Sequence, residues 1–84
     1  MPERDVRLDN EVGLHARPAA VFSKAAARFD ASVTVVKSGE EANAKSVLSV
    51  LKLDVLKGDT VTIRTEGPDE EDALAELVQL VGDL

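Results

Sequence analysis

The sequence predicts an open-faced α/β (α+β) sandwich, an antiparallel β-sheet with helices packed on one face. Two observations predict it. Short stretches with apolar residues at alternate positions interleave with stretches in which they recur at three- and four-residue steps. Gly, Pro and Asp punctuate the boundaries between them. The resulting order is β-α-β-β-α-β-α.

The elements follow in chain order. Along 5–8, Val6 and Leu8 share one face and charged neighbours take the other, which reads as a half-buried strand leading into a loop over 9–14. A helix is predicted over 16–29, because Ala19, Phe22, Ala26 and Phe29 recur at helical steps while Arg17, Lys24 and Arg28 fall opposite. Pro18 suits its start, where the first-turn amides have no intrahelical partner to lose. Residues 32–36 are rich in β-branched side chains, and Lys37, Ser38 and Gly39 turn the chain into a partner strand over 40–43. A short helix is expected over 46–53. Lys57, Gly58 and Asp59 form a turn into a strand over 60–65 that alternates through Val61 and Ile63. Gly67 and Pro68 break the chain, Asp69 is placed to cap, and Ala73, Leu74, Leu77, Val78 and Val81 form the apolar stripe of a final helix.

Length and composition limit what such a fold can do. With 84 residues, no repeat and no linker, the chain is read as a single domain over 1–84. A domain this small buries roughly 60–70% of its unfolded surface, which leaves little interior for an enclosed active site and favours a surface one. The apolar fraction of 44% argues against disorder, while no apolar run is long enough to cross a bilayer, so membrane insertion is not expected. The start, MPERDVRL, lacks the features of a secretory signal, and the chain contains no cysteine; both point to the cytoplasm. A net charge of −6 with only two aromatic residues makes a poor nucleic-acid surface.

The chemistry concentrates in Gly13-Leu14-His15-Ala16-Arg17-Pro18-Ala19-Ala20, where the only histidine precedes a helix and an arginine lies two residues on. The free amides of a helix start, here those of Ala16 and Arg17, favour an anion, and a guanidinium adds a charge-assisted contact. The same field is expected to lower the imidazole pKa and keep a ring nitrogen nucleophilic near neutral pH. Taken alone, these residues admit two readings: an anion site with a nucleophile, or a histidine that caps the helix beside a solvated arginine.

The whole string resembles the phosphorylation motif of the histidine-containing phosphocarrier (HPr) family of the phosphoenolpyruvate-dependent sugar phosphotransferase system. Asn43-Ala44-Lys45-Ser46 followed by apolar residues resembles the family's second signature, so the resemblance spans nearly the whole chain. It implies a four-stranded antiparallel sheet covered on one face by three helices. It further implies that His15 accepts a phosphoryl group from phosphorylated enzyme I and passes it to a sugar-specific IIA protein or domain. Arg17 would stabilise the transferring group, and Ser46 occupies the regulatory position of the Gram-positive-type members. An HPr kinase/phosphorylase and a transcription regulator are further partners on this reading. The protein would be a monomer, a covalent intermediate rather than an enzyme, and would use no cofactor. The departures are Ser49 and Asp54, where the family often has glycine. Asp enters a left-handed backbone less readily than Gly, so a departure is expected at the turn ending the short helix.

Charge placement suggests how such a carrier docks. All sixteen acidic residues lie outside 12–29 and 42–53, the windows that hold His15, Arg17, Lys24, Arg28, Lys45 and Lys52. The two helices would therefore present a positive surface to an acidic partner. At about 100° per residue, Val50 and Leu53 share one side of the short helix, and Val47, Leu48 and Leu51 cluster on another. The second cluster, with Ala20, Lys24 and Lys52 beside it, is the expected docking patch. The competing expectation is a helix buried on both sides, and exposure of Leu48 and Leu51 separates the two. The acidic run over 69–72 reads as carboxylates favoured at a helix start, not as a metal site.

A different class of function is a regulatory binding module, a transcription co-regulator or a nitrogen-branch phosphocarrier, acting mainly through docking of the 46–53 helix under control at Ser46. Retention of His15 favours carriage, since a module without carrier activity could dispense with the nucleophile. An autonomous hydrolase fits worse, because no second catalytic group stands beside His15 in the sequence.

Overall fold

The computed structural model describes residues 2–9, 14 and 16–83. Seven elements appear in the predicted order: β1 (Glu3–Arg7), α1 (Ala16–Ala26), β2 (Ser32–Lys37), β3 (Glu40–Asn43), α2 (Val47–Lys52), β4 (Thr60–Glu66) and α3 (Glu70–Asp83). The strands form one antiparallel sheet in the order β1-β4-β2-β3. The last strand thus inserts between β1 and β2, and the two central strands come from opposite halves of the chain.

Alternation along the strands decides which face the helices cover. Val33 and Val35 of β2 and Val61, Ile63 and Thr65 of β4 are buried, whereas Thr34, Val36, Thr62 and Arg64 on the other face stay half-exposed. Phe22 of α1, Val50 of α2 and Leu77 of α3 close the covered side, each fully buried. Side chains of this size contribute about 1.5–3 kcal/mol each on full burial. The open face is held by cross-strand pairs. Thr62 donates to Asp5 at 2.6 Å and Arg64 pairs with Glu3 at 3.3 Å, each directly opposite its partner in the β1–β4 register.

β2 and β3 are joined by Ser38 and Gly39, with φ of +52° and +83°. Positive φ at both central residues is the backbone twist that suits a two-residue hairpin.

β1 runs from Glu3 to Arg7 rather than over 5–8, and two further departures from expectation have local reasons. α1 ends at Ala26 rather than Phe29, because the amides of Arg28 and Phe29 donate to Ala25 and Ala26, three residues back, at 3.2 Å. The final turn tightens in this way as the chain swings into β2. Asp69, expected to cap α3 with its side chain, instead sends its carboxylate across the fold to accept from the amides of Asp30 at 2.9 Å and Ala31 at 2.8 Å. The Glu70 carboxylate accepts from the Gly67 amide at 2.9 Å, fastening the turn that leads into α3. The Asp30 amide, followed by that of Ala31, holds the Asp69 carboxyl below its ordinary pKa against the opposing effect of desolvation. Gly67 lies against Ala31 so closely that a Cβ on it would stand 2.6 Å from the Ala31 Cα, which explains glycine there.

Candidate phosphoryl-transfer site

His15 lies outside the described residues, as does Gly13; its surroundings are built from the residues around them. Leu14 is buried, and its amide donates to the Val55 carbonyl at 3.0 Å. One residue separates it from Ala16, where α1 begins. Ala16 and Arg17 are both exposed on that first turn. Pro18 contributes no N–H, so among the described residues Ala16 and Arg17 supply the first-turn amides that have no intrahelical partner. Among the described residues no hydrogen bond or ion pair engages the Arg17 guanidinium.

The faces of α1 separate cleanly. Ala19, Phe22, Ser23 and Ala26 point inward. Arg17, Ala20, Val21 and Lys24 recur at the same helical steps on the exposed side. Val21, 43% exposed, is an apolar member of this strip that the sequence reading missed, although its spacing from Arg17 gives it away.

α1 packs against α2. Ser46 is the N-cap of α2, with φ −110° and ψ 112°, and its Oγ accepts from the Ser49 amide at 3.3 Å. Val50 and Leu53 turn to the core, Val47 and Leu51 are half-buried at its margin, and Leu48 is 64% exposed. The helix is therefore not buried on both sides. Leu56, 46% exposed just beyond it, is a further apolar surface residue not anticipated from the sequence.

The cations divide into engaged and free. Lys45 donates to the Phe29 carbonyl at 2.8 Å, and Arg28 lies 4.0 Å from Glu76, so neither projects as a bare charge. Among the described residues Lys24 and Lys52, like Arg17, are exposed and have no such partner. The positive surface is thus narrower than charge segregation alone implies.

The turn after α2 is corrected in one respect. Asp54 does enter the left-handed region, with φ +52°. The cost is offset by Lys37, whose ammonium donates to the carbonyls of Leu53 at 3.2 Å and Asp54 at 2.7 Å. A cation at a helix C-terminus also complements the helix dipole. The same ammonium lies 3.0 Å from Asp59 Oδ2. Hydrogen bonding from the Leu56 amide, then from Lys37, keeps the Asp59 carboxyl below its ordinary pKa. Neither Lys37 nor Asp59 is signalled by a motif; each reads in the sequence as one residue of a turn.

Among the described residues no helix is long and apolar enough to cross a membrane, and no cluster of three or more His, Cys, Asp or Glu is disposed to hold a metal ion.

This arrangement of fold and helix mouth has clear relatives. Residues 2–83 match the family described as the HPr component phosphorylation site of the phosphotransferase system. The chain is 45% identical to the phosphocarrier protein HPr of Vibrio cholerae over 84 residues, covering all of this chain and 99% of that protein. It is 38% identical to the HPr-like protein Crh of Halalkalibacterium halodurans over 81 residues, 96% of each. Among solved structures, HPr of Thermoanaerobacter tengcongensis superposes with a TM-score of 0.96 at 40% identity, covering 99% of this chain and 93% of that one. The chain belongs to the HPr family of the phosphotransferase system. Members of that family are phosphocarriers, intermediates of phosphoryl transfer rather than catalysts, and the family implies enzyme I and IIA-type partners.

Proposed function

We propose that the chain carries a phosphoryl group on His15, received from phosphorylated enzyme I and delivered to a IIA-type protein. The observation that supports this most directly is the helix mouth that follows His15, where exposed Ala16 and Arg17 lie at the start of α1 and the Arg17 guanidinium has no partner among the described residues. In the transfer, an imidazole nitrogen attacks the phosphorus, a P–N bond forms, and the bond to the donor breaks. The helix-start amides and Arg17 offset charge on the transferring oxygens. The whole 1–84 domain serves as the carrier, monomeric and cytoplasmic, and needs neither metal nor cofactor.

Docking on this reading uses Ala20, Val21 and Lys24 of α1 together with Val47, Leu48, Leu51 and Lys52 of α2. An exposed leucine flanked by lysines that have no partner among the described residues suits an acidic surface with an apolar centre. Ser46, at the head of α2, is the regulatory position, open to a kinase and to a transcription regulator that reads the phosphate. The second reading, a module that acts by docking alone, draws on similarity to Crh. The presence of His15 favours carriage. Incubation with phosphoenolpyruvate and enzyme I should place acid-labile phosphate on the parent and none on His15→Ala, with both proteins folded. Acid-labile phosphate on the variant overturns the assignment.

A further inference from the structure

A lysine outside the helix mouth ties together the backbone on which the acceptor segment rests. Lys37, the last residue of β2, is partly buried, with 23% of its side chain exposed. An ammonium has three donors, and this one meets three acceptors: the Leu53 carbonyl, the Asp54 carbonyl and Asp59 Oδ2. It thereby joins the two ends of the 54–59 loop. Asp59 reinforces the closure from within, since its Oδ2 accepts from the Leu56 amide at 2.9 Å and its own amide donates to the Leu56 carbonyl at 3.0 Å.

Leu8 and Leu14, on the two sides of residues 9–13, both bond to this closed loop. On the leaving side, the Leu8 amide donates to the Asp59 carbonyl at 2.9 Å and the Leu8 carbonyl accepts from Gly58 at 2.6 Å. On the returning side, the Leu14 amide donates to the Val55 carbonyl at 3.0 Å. Leu8, Leu14 and Val55 are all buried, so these anchors are shielded from competing water. Leu14 precedes His15 directly, and successive Cα atoms are about 3.8 Å apart. A displaced Val55 carbonyl would move the backbone next to the acceptor before it disturbed the sheet.

Resting on the carrier reading above, we propose that Lys37, locked to Asp59, is a positioning residue for phosphoryl transfer: it fixes the 54–59 loop and through it Leu14 and the start of α1. Its effect falls on the chemical step. It holds the backbone just past the end of α2, through the Leu53 carbonyl, and adds neither a side-chain contact nor an exposed cation to the docking patch.

The test compares the parent with Lys37→Met, which keeps the stem and removes all three donors, and with Asp59→Asn, which keeps an acceptor for Leu56 and removes the charge. Two readouts are taken: amide hydrogen exchange at Leu14, with buried Leu77 of α3 as the global reference, and single-turnover transfer from phosphorylated enzyme I across a range of its concentrations. Lys37→Met should speed exchange at Leu14 more than at Leu77. It should lower the saturated transfer rate about tenfold, as small misplacements of reacting groups do, and leave the half-saturating concentration unchanged. Asp59→Asn should move the same readouts in the same direction by a smaller factor, and it carries the test if Lys37→Met does not fold. An unchanged saturated rate, a change confined to half-saturation, or equal acceleration of exchange at Leu14 and Leu77 overturns the proposal and leaves the carrier reading standing. A parent that accepts no acid-labile phosphate on His15 overturns both.

Discussion

Arg17 and Asp69 show how differently single residues act in this molecule. Arg17 is exposed and free among the described residues, so on the carrier reading its value lies in the transfer and not in the resting fold. Replacing its planar, bidentate guanidinium by an ammonium should slow phosphorylation of His15 about tenfold. Thermal stability should stay within about 0.5 kcal/mol, as for other surface changes. Stopped-flow transfer and a melting curve on Arg17→Lys check both halves, and equal transfer rates would refute the role. Asp69 is the converse case. Its carboxyl is held below its ordinary pKa in the fold by the Asp30 amide and then the Ala31 amide. The folded protein therefore binds fewer protons here than the unfolded chain does. The stabilisation is complete above the unfolded value of about 3.9 and is lost as pH falls through the lower folded value. Urea unfolding of the parent should weaken between pH 5 and the acid limit, and Asp69→Asn should weaken less over the same range. Parallel pH curves for the two proteins would count against the clamp. Arg17 stands out in the sequence because the role proposed for it depends on neighbours within one short string. The function of Asp69 was misread as a local cap because its partners lie 38 and 39 residues away.

At the scale of elements, α2 divides its apolar residues between two tasks. Val50 is fully buried and Leu48 is 64% exposed, on a helix that spans only Val47–Lys52. Val50→Ala should cost about 2 kcal/mol through lost burial and a residual cavity. Leu48→Ala should leave stability within about 0.5 kcal/mol and, as a truncated interface anchor, weaken enzyme I binding by more than 1 kcal/mol. Calorimetric binding and chemical unfolding of the two variants give crossed outcomes on this view. If Leu48→Ala lost stability and kept affinity, its exposed side would not be the docking face. Helical angle predicted the buried side, Val50 and Leu53, but of the expected outer cluster only Leu48 is exposed, because Val47 and Leu51 pack at the margin of the core. The end of the helix was less legible. Asp54 has φ +52° with Lys37 bonded to its carbonyl, and a lysine sixteen and seventeen residues upstream of its two carbonyl partners carries no local signal. The β1-β4-β2-β3 strand order was equally silent in periodicity, which fixes the face of a strand and not its neighbours.

For the molecule as a whole, the governing property is a net charge of −6 on a chain whose α1 and α2 surfaces hold no carboxylate. On the proposed reading, Arg17, Lys24 and Lys52, cations with no partner among the described residues, steer an acidic partner from a distance, within a Debye length of about 10 Å at 0.1 M salt. Ser46 sits at the edge of this field as the cap of α2, where its Oγ accepts from the Ser49 amide. A phosphate there brings about −1.5 to −2 charge, which the helix start tolerates, so the fold should survive modification. Approach to the donor should not, because the added charge opposes the cations that guide it. Ser46→Asp should reproduce the effect in part, since one carboxylate carries less charge and fewer acceptor oxygens than a phosphate. At 20 mM salt its association with enzyme I should be about threefold slower than that of the parent, and at 0.5 M salt the difference should largely vanish. Ser46→Ala should associate at the parental rate at both salt concentrations while losing about 1 kcal/mol of stability with the cap. Association rates of the three proteins at both salt concentrations, alongside their unfolding curves, separate the field from the fold. If Ser46→Asp associates as fast as the parent at low salt, charge at this position does not control docking, and Ser46 is a helix cap alone.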